Sequence, residues 1–385
     1  MLETFDLDGH PVDALDLKCL LVSAGMQYPQ HVYDALQGKV RLADPSNFFA
    51  CNCVILPGDV AVHLNQNPAS PFGIDLDEHG APGLYHRGRR VAPVSFPRPS
   101  GYYEQQTAAG IPYGSYAVLE GEALLAFFYL WSCEYIKTGE TCAFCFQVMA
   151  EMAGFQLPSA TPEEVAEIIA YGVEQAGVRE VQLTAGTKFV AKNECAHYAE
   201  ILRAIDRRLG LANIPSEIYI YMTAQKDPSA VDEVFDAGVH RVAHDLHVWD
   251  AKRHARYAPG HARKVGRDAQ LRSLEYIASK HGPDRAFSAF VAGLEPLESM
   301  LEGATWCAER GIAPAFSVWM PTPGSTGPEN TPPGLEYYRA ARREFARLYK
   351  RHGLRPPGIP AGSHVSLCHD IYRNMDAILS APAAG

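Results

Sequence analysis

From about residue 121 onward the sequence alternates between short apolar runs and amphipathic segments, which limits the possible folds more than any other feature. Each of six apolar runs of strand length is followed by a segment with helical spacing. Strands alternating with such helices predict parallel β-α-β units. The apolar runs are 123–132, 179–185, 216–224, 239–246, 286–293 and 313–320. Six units favour an open, partial (β/α)6 TIM-like barrel, and a doubly wound sheet is the competing architecture.

One helix in this series has a clear beginning in the sequence. Thr161 is suited to the N-cap, Pro162 to the first helical position, and Glu164 completes a capping box. We expect that helix to end near Gly177, and a last long helix to cover about 333–352.

The first 120 residues have a different pattern. Apolar residues at helical spacing from Leu15 to Leu36 precede short β-like runs broken by proline and glycine, and residues 68–83 read as a loop. The predicted fold class is α/β, a partial (β/α)6 TIM-like barrel with additions at both ends. A small α+β N-terminal domain (1–120) precedes the barrel (121–330), and a C-terminal helix and capping tail (331–385) follow it.

Composition and charge exclude some functional classes. A net charge of −10 argues against a nucleic-acid partner, and the one basic run, Arg253 to Arg267, is either a solvated helix face or an anion-binding surface. The longest apolar run, Ala123 to Trp131, is too short to cross a bilayer of ~30 Å, and the first residues do not resemble a signal peptide. The sequence therefore predicts a cytoplasmic protein whose cysteines stay reduced.

Three cysteines follow the first barrel strand with the spacing C-x8-C-x2-C. Cys133 comes directly after the strand, and Cys142 and Cys145 lie in the loop beyond it, where barrel enzymes collect their chemistry. Three thiolates can hold three irons of a cubane cluster and leave the fourth iron open to an outside ligand. A zinc site is the alternative, in which these cysteines join a histidine such as His244 or His247. Three unrelated cysteines are the remaining interpretation.

These residues resemble the radical S-adenosylmethionine (SAM) superfamily, which carries a three-cysteine loop after its first strand and an aromatic residue before the last cysteine, here Phe144. The common spacing there is C-x3-C-x2-C, so this chain has five additional residues between the first two cysteines. The resemblance covers about residues 121–325 and implies a [4Fe–4S] cluster on Cys133, Cys142 and Cys145, with SAM as cosubstrate.

Further segments resemble SAM-binding motifs of biotin-synthase-like enzymes. Thr184, Gly186 and Thr187 stand where the family has a GGE-like turn, although the glutamate is absent here. The segment 243–247 resembles a polar motif that would place Asp245 and His247 beside SAM or substrate. The remaining implied positions are Arg267 in the following helix, Gly293 and Glu295 in the adenine-binding VAGLEP segment, and the PTPGST segment at 321–326.

The resemblance also implies a reaction. The cluster would reductively cleave SAM, and the resulting 5′-deoxyadenosyl radical would abstract hydrogen from a small-molecule substrate. Flavodoxin or ferredoxin would supply the electron, with no nucleic-acid or membrane partner. The N-terminal half resembles a subgroup encoded in nitrilase-associated gene clusters, which implies a role in nitrile or cyanide metabolism.

Two other functions remain open at this point. One is a zinc-dependent TIM-barrel hydrolase or lyase with Cys and His ligands, and the other is a non-catalytic iron–sulfur protein. Cys19, Cys195 and Cys307 have core-like surroundings, and Cys51 and Cys53 lack a third partner nearby. Cys368 is a candidate for a thiol on the substrate side of the barrel mouth.

Overall fold

The computed structural model describes residues 2–42, 52–128, 130–145, 159–188, 194–320 and 332–381. The N-terminal part contains small antiparallel pairings packed on two helices. Its elements are β1 (Thr4–Leu7), β2 (His10–Asp13), α1 (Ala14–Ala24), α2 (Gln30–Leu36), β3 (Cys53–Leu56), β4 (Val60–His63), β5 (Phe72–Leu76), β6 (Pro82–His86) and β7 (Arg89–Pro93).

The remainder of the chain builds one large sheet and its surrounding helices. Its strands are β8 (Ala117–Glu120), β9 (Leu124–Phe127), β10 (Glu180–Thr184), β11 (Ile218–Tyr221), β12 (Arg241–Ala243), β13 (Ala286–Ala292) and β14 (Ala313–Val318). Its α-helices are α3 (Glu134–Lys137), α4 (Pro162–Gln175), α5 (Glu194–Arg208), α6 (Asp232–Asp236), α7 (Ala251–Tyr257), α8 (Arg267–His281), α9 (Leu297–Ala308), α10 (Leu335–His352), α11 (Cys368–Arg373) and α12 (Met375–Ser380).

The order of the strands decides between the two predicted architectures. From β9 to β14 each strand pairs in parallel with the next one along the chain, and β8 adds an antiparallel edge beside β9. A doubly wound sheet reverses its strand order at a switch point, and this sheet does not. The predicted α/β class with a partial TIM-like barrel is therefore confirmed. The division into three segments at 120 and 330 stays a prediction.

Several predicted boundaries need correction. The first barrel strand ends at Phe127 rather than at residue 132, because the chain leaves the sheet there to form the cysteine loop. The segment 68–83, predicted as a loop, contains β5, whose Phe72 and Ile74 point into the core. The predicted helix from Leu15 to Leu36 is two helices, α1 and α2.

The predicted start of α4 is confirmed in detail. The Thr161 hydroxyl accepts a hydrogen bond from the Glu164 amide at 3.2 Å, and the Glu164 carboxylate accepts one from the Thr161 amide at 2.9 Å. Pro162 opens the helix, which ends at Gln175. Both bonds satisfy donors that a helix otherwise leaves open at its first turn.

The main hydrophobic core extends from Phe5 in β1 to Ile378 in α12, and a buried lysine links its two ends. Lys18 in α1 is fully buried, and its ammonium donates to the carbonyls of Ser363 and Ser366 and to the Asp370 carboxylate at 2.6–2.9 Å. A buried charge is tolerated only when its donors are satisfied in this way. No helix in the described part of the chain is long and apolar enough to cross a membrane.

Replacing this lysine tests the link between the two ends. Lys18→Met leaves the Asp370 carboxylate buried without its cation, and we expect the free energy of unfolding to fall by about 3–5 kcal/mol. Equilibrium denaturation measures the change. Arg347→Met, which removes an exposed ion pair with Glu344, is the matched control and should cost below about 1 kcal/mol. Lys18→Met/Asp370→Asn should recover part of the loss, and an unchanged midpoint for the single variant would contradict the role of Lys18.

Candidate functional site

A cavity of about 280 Å³ opens at the carboxyl ends of the barrel strands and contains all three predicted cysteine ligands. It is bounded by the loop after β9 and by the ends of β10, β11 and β12. The lining residues comprise Cys133, Tyr135, Ile136, Thr141, Cys142, Phe144, Cys145, Thr184, Ala185, Gly186, Thr187, Tyr221, Met222, Thr223, Ala243, Asp245, His247, His261 and Gln270. The strand order therefore assembles here residues that are separated by more than a hundred positions in the sequence.

Backbone contacts between two loops hold Cys133 in place. The Gly186 amide donates to the Trp131 carbonyl at 3.1 Å, the Trp131 indole donates back to the Gly186 carbonyl, and the Glu134 amide donates to the Thr187 carbonyl at 2.9 Å. Cys133 lies between these bonds. A Cβ on Gly186 would lie 2.3 Å from the Cys133 amide nitrogen and Cα, so no larger residue fits there without moving the cysteine backbone.

The other two cysteines are held by a tight turn. The Cys145 amide donates to the Cys142 carbonyl at 3.1 Å, and the Ala143 amide between them donates to the Tyr257 carbonyl at 2.8 Å. Phe144 packs its ring against His247, with ring centroids 4.9 Å apart. The loop is therefore anchored to the segment after β12 as well as to the end of β10.

The surroundings favour the protonated thiol at Cys133 and at Cys142. Burial raises the pKa of Cys133, and the amides of Tyr135, Thr187 and Ile136 offset the shift only in part. Burial raises the pKa of Cys142 well above its ordinary value, and the neighbouring Cys145 and Cys133 add to the rise. A bound metal would reverse this balance, because metal-coordinated thiols are deprotonated.

The predicted GGE-like turn lies at the cavity. Thr184, Gly186 and Thr187 all line it. The Thr223 hydroxyl donates to the Thr187 hydroxyl at 3.0 Å, and the Thr223 amide donates to the Glu194 carboxylate at 3.0 Å. A polar network therefore runs from the cysteine loop to the start of α5.

Asp245 and His247 also face the cavity. One Asp245 oxygen accepts the Ala289 amide at 2.9 Å, and burial raises the pKa of this carboxyl to about 7. His247 has φ +59°, a left-handed conformation that is costly for a residue with a Cβ. Its backbone is fixed to β13 by hydrogen bonds with Ala289 and Val291, which direct the ring toward Phe144 and His261.

Three other predicted residues do not line the cavity. Arg267 stacks its guanidinium on Trp249, 3.9 Å from the ring centroid. Gly293 packs against Pro333, with φ +105°. The Glu295 carboxylate accepts the amides of Trp249 and Asp250 and the Ser299 hydroxyl at 2.6–2.9 Å, so it fixes the entry to α7. Their cofactor-binding roles stay predictions that these contacts do not support.

His244 is occupied as a structural residue. Its Nδ1 lies 2.9 Å from the Met222 carbonyl and its Nε2 2.8 Å from the Ser273 hydroxyl, so neither ring nitrogen is available to a metal. Within the described ranges, no three Cys, His, Asp or Glu side chains are grouped as ligands of a single ion. The zinc alternative therefore receives no support from His244.

Sequence reasoning missed six polar residues at the cavity: Tyr135, Thr141, Tyr221, Thr223, His261 and Gln270. Tyr221 ends β11, so the rule that function collects at strand ends could have found it. His261 lies in the basic run and Gln270 in α8, and only tertiary structure brings them here. Among the described residues, the buried His261 Nδ1 and Gln270 Oε1 have no hydrogen-bond partner. Orphaned polar atoms beside three thiols fit a site that holds a polar ligand.

The remaining sequence candidates lie elsewhere. Cys368 is buried, and its sulfur contacts the Phe316 backbone rather than the cavity. The segment 321–326 and Cys51 lie outside the described residues. A larger groove of about 980 Å³ between the β1–β2 hairpin, α10 and α12 is lined by neither cysteine nor histidine.

Comparison with known families addresses the identity of this domain. The sequence profile of the radical SAM superfamily matches residues 139–319, a range that includes Cys142 and Cys145. The chain contains a radical SAM superfamily domain. Radical SAM enzymes use a [4Fe–4S] cluster and S-adenosylmethionine, which agrees with the three thiols and the orphaned polar atoms at the cavity. Cys133 lies before the matched range, at the start of the lengthened cysteine spacing.

The proteins to which this chain is similar include a bacterial hydroxylase and an oxidase of known structure. The chain is 23% identical over 330 residues to bacteriochlorophyllide c C-7(1)-hydroxylase of Chlorobaculum limnaeum, covering 82% of each chain. It is also similar to the structure of coproporphyrinogen III oxidase from Escherichia coli, described as a radical SAM enzyme, with a TM-score of 0.39 and 14% identity. That similarity covers 66% of this chain and 57% of the oxidase chain, so this chain spans little more than half of the oxidase.

The close approach of Gly186 to Cys133 can be tested by one added methyl group. Gly186→Ala should displace the cysteine backbone and lower the iron bound per chain severalfold after anaerobic reconstitution. Gly334→Ala is the matched control, because a Cβ there meets nothing within 4 Å and φ is negative. Iron and sulfide analysis with the visible spectrum measures the result. Full iron loading of Gly186→Ala would show that the contact does not position Cys133.

Glu194 predicts a pH dependence of stability. Burial raises the pKa of its carboxyl to about 8, against an ordinary value of 4.5. Between these values unfolding releases a proton, so the free energy of unfolding should fall as the pH rises through this window. Glu194→Gln, which keeps the acceptor for Thr223, should make that fall shallower in denaturation measured from pH 5 to 8.

The exposed Glu174→Gln is the control for this experiment and should retain the dependence of the unchanged protein. An identical slope for Glu194→Gln and the unchanged protein would mean that Glu194 is ionised in the folded state.

Proposed function

We propose that this chain is a radical SAM enzyme that reductively cleaves S-adenosylmethionine at a [4Fe–4S] cluster held by Cys133, Cys142 and Cys145. The observation that carries the proposal is the convergence of these cysteines on one cavity at the carboxyl edge of a partial barrel. Three cysteine ligands leave one iron of a cubane without a protein ligand. When bound, this cluster would supply one electron for SAM cleavage, and the radical formed would abstract hydrogen from the substrate.

The residues of the chain have separate roles in this proposal. The paired loops at Trp131 and Gly186 fix Cys133, and the turn at Cys142 fixes the other two ligands. The orphaned His261 Nδ1 and Gln270 Oε1 offer hydrogen-bonding positions for the polar groups of a bound ligand.

Asp245 would hold a proton near neutral pH, since burial raises its pKa to about 7. It can therefore donate a hydrogen bond as a neutral carboxyl or accept one as a carboxylate.

Burial at the cavity would protect a reactive radical. Burial lowers the pKa of His247 well below its ordinary value and lowers that of His261 to about 4, so both imidazoles are neutral at physiological pH. Aromatic rings of Phe144 and Tyr221 cover further parts of the lining. Neutral and aromatic side chains in the lining would limit the water near the radical, as the proposed chemistry requires.

The substrate is proposed only as a small molecule with an unactivated C–H bond. The relative from Chlorobaculum limnaeum is named as a hydroxylase acting at C-7(1) of bacteriochlorophyllide c. Hydroxylation replaces a C–H bond, and we propose that this chain likewise acts on a C–H bond of its substrate. A role in nitrile or cyanide metabolism stays a prediction from sequence resemblance, as does flavodoxin or ferredoxin as the electron donor.

Cluster binding and SAM cleavage can be tested together. Anaerobically purified protein should be brown, and with SAM and dithionite it should form 5′-deoxyadenosine and methionine. Cys133→Ala, Cys142→Ala and Cys145→Ala should each lose the cluster absorbance and at least about 100-fold of the cleavage rate, since ligand loss removes the electron source.

Cys307→Ala, a change at a buried cysteine in α9, is the control and should keep both properties. A colourless protein with one zinc would support the hydrolase or lyase alternative. A brown protein that leaves SAM intact would support the non-catalytic iron–sulfur alternative.

A further inference from the structure

The basic run singled out in the sequence lies directly beside the cysteine loop. Residues 251–267, which extend the run Arg253 to Arg267 to include Lys252, contain six arginines and lysines and lie between Asp250 and Asp268. The segment therefore carries a local excess of positive charge in a chain of net charge −10.

Several contacts fasten this segment to the loop that carries the ligands. The Ala143 amide donates to the Tyr257 carbonyl at 2.8 Å, and the Gly260 amide donates to the Glu140 carbonyl at 3.2 Å. A Cβ on Gly260 would lie 2.4 Å from the Tyr135 ring, so the basic segment and the cysteine loop are in direct contact there. The Tyr135 and His261 rings lie 5.1 Å apart. Residues 257–261 therefore form a layer that packs directly on the residues flanking Cys142.

The outer side of this layer is charged and exposed. Lys252 and Arg256 are one turn apart on α7, and Arg263 and Lys264 follow in the turn before α8. Arg263 pairs with Glu140. Across the ranges that the structure describes, Lys252 and Arg256 have no acidic side chain within 4.0 Å. We name the exposed side chains of Lys252, Arg256, Arg263 and Lys264 the basic face.

We propose that the basic face is the docking surface for a small acidic one-electron carrier protein, which reduces the cluster through the layer formed by residues 257–261. This inference rests on the proposed function, because it needs a redox cluster on Cys133, Cys142 and Cys145. One electron leaves the reduced carrier, which is oxidised, and enters the cluster, which is reduced by one; no atom or proton is transferred. Charge complementarity between an acidic carrier and a basic face favours fast, salt-sensitive association.

The position of the basic face distinguishes an electron carrier from other anionic partners. A small anionic substrate would need basic groups inside the cavity, whereas these side chains point to solvent and none of them lines it. A nucleic acid would need positive charge over a longer surface than one short segment of an acidic protein. A carrier protein needs only a local patch close to the redox centre, which is the arrangement present.

The test compares two sources of electrons. Purified flavodoxin with its reductase and NADPH requires docking, whereas dithionite is small and does not. For the cluster-loaded Lys252→Glu/Arg256→Glu variant we expect 5′-deoxyadenosine formation with flavodoxin to fall about tenfold at low salt, with the flavodoxin concentration for half-maximal rate raised. The dithionite-driven rate should be unchanged. Added salt should lower the flavodoxin-driven rate of the unchanged protein.

A second double variant provides the matched control. Arg285→Glu/Arg351→Glu makes the same change in net charge at exposed residues near the starts of the strands, at the opposite end of the barrel. It should keep both rates. Equal flavodoxin-driven rates in all three proteins would overturn the docking proposal, as would an equal loss with both reductants, because the segment would then act on the cluster itself.

Direct binding separates this proposal from the proposed function. Calorimetric titration of oxidised flavodoxin into the cluster-loaded proteins should show binding to the unchanged protein and to the control, but not to Lys252→Glu/Arg256→Glu. This binding pattern would support docking whether or not SAM is cleaved. Binding without SAM cleavage would contradict the proposed function but not the docking surface. Binding of a single-stranded RNA in preference to flavodoxin would overturn the assignment of the partner.

Discussion

The pairing of the loop after β9 with the loop after β10 is the interaction on which the site depends. Three hydrogen bonds join Trp131 and Glu134 to Gly186 and Thr187 and extend the strand pairing beyond the sheet. Each backbone bond contributes only about 1 kcal/mol net, so their importance lies in geometry. They place Cys133 at the wall of the cavity, and the glycine opposite makes room for its backbone. The rest of the cysteine loop is built outward from this point.

Burial sets the chemistry of that site, because it opposes every charge that is not compensated. The same effect raises the pKa values of Cys133, Cys142, Asp245 and Glu194 and lowers that of His261. Burial therefore favours the neutral form of each of these groups. A multivalent metal centre would change this balance by providing the positive charge that thiolates need.

The sequence predicted those features that depend on interactions between residues close together in the chain. The capping box at Thr161 and the alternation of strands and helices both reflect periods of a few residues, and both are present in the structure. The first strand was predicted too long, because apolar residues such as Leu130 and Trp131 are buried whether or not they belong to the sheet. Glu295 shows that contacts between distant residues are not predicted from local sequence. The residues around Glu295 resemble a cofactor-binding motif. Its carboxylate instead accepts hydrogen bonds from the amides of Trp249 and Asp250. A contact between residues 45 positions apart cannot be read from a short motif.

The two ends of the chain close the gap that a six-stranded parallel barrel leaves at its side. The Val318 amide at the end of β14 donates to the Val365 carbonyl, and the Glu122 amide near β9 donates to the Ala361 carbonyl at 2.7 Å. A Cβ on Gly121 would lie 1.6 Å from the Ala361 oxygen, so the backbones of these two residues pack directly against each other. Lys18 ties the same segment to α1.

This closure has a consequence for access to the cavity. In the part of the chain that the structure describes, residues 361–366 occupy the side of the barrel, so a substrate entering between β14 and β8 would have to displace a segment fixed by a buried ammonium. Among the described residues, the cavity lies at the carboxyl edge instead. Substrate and electrons would therefore reach the cysteines from the same end of the barrel.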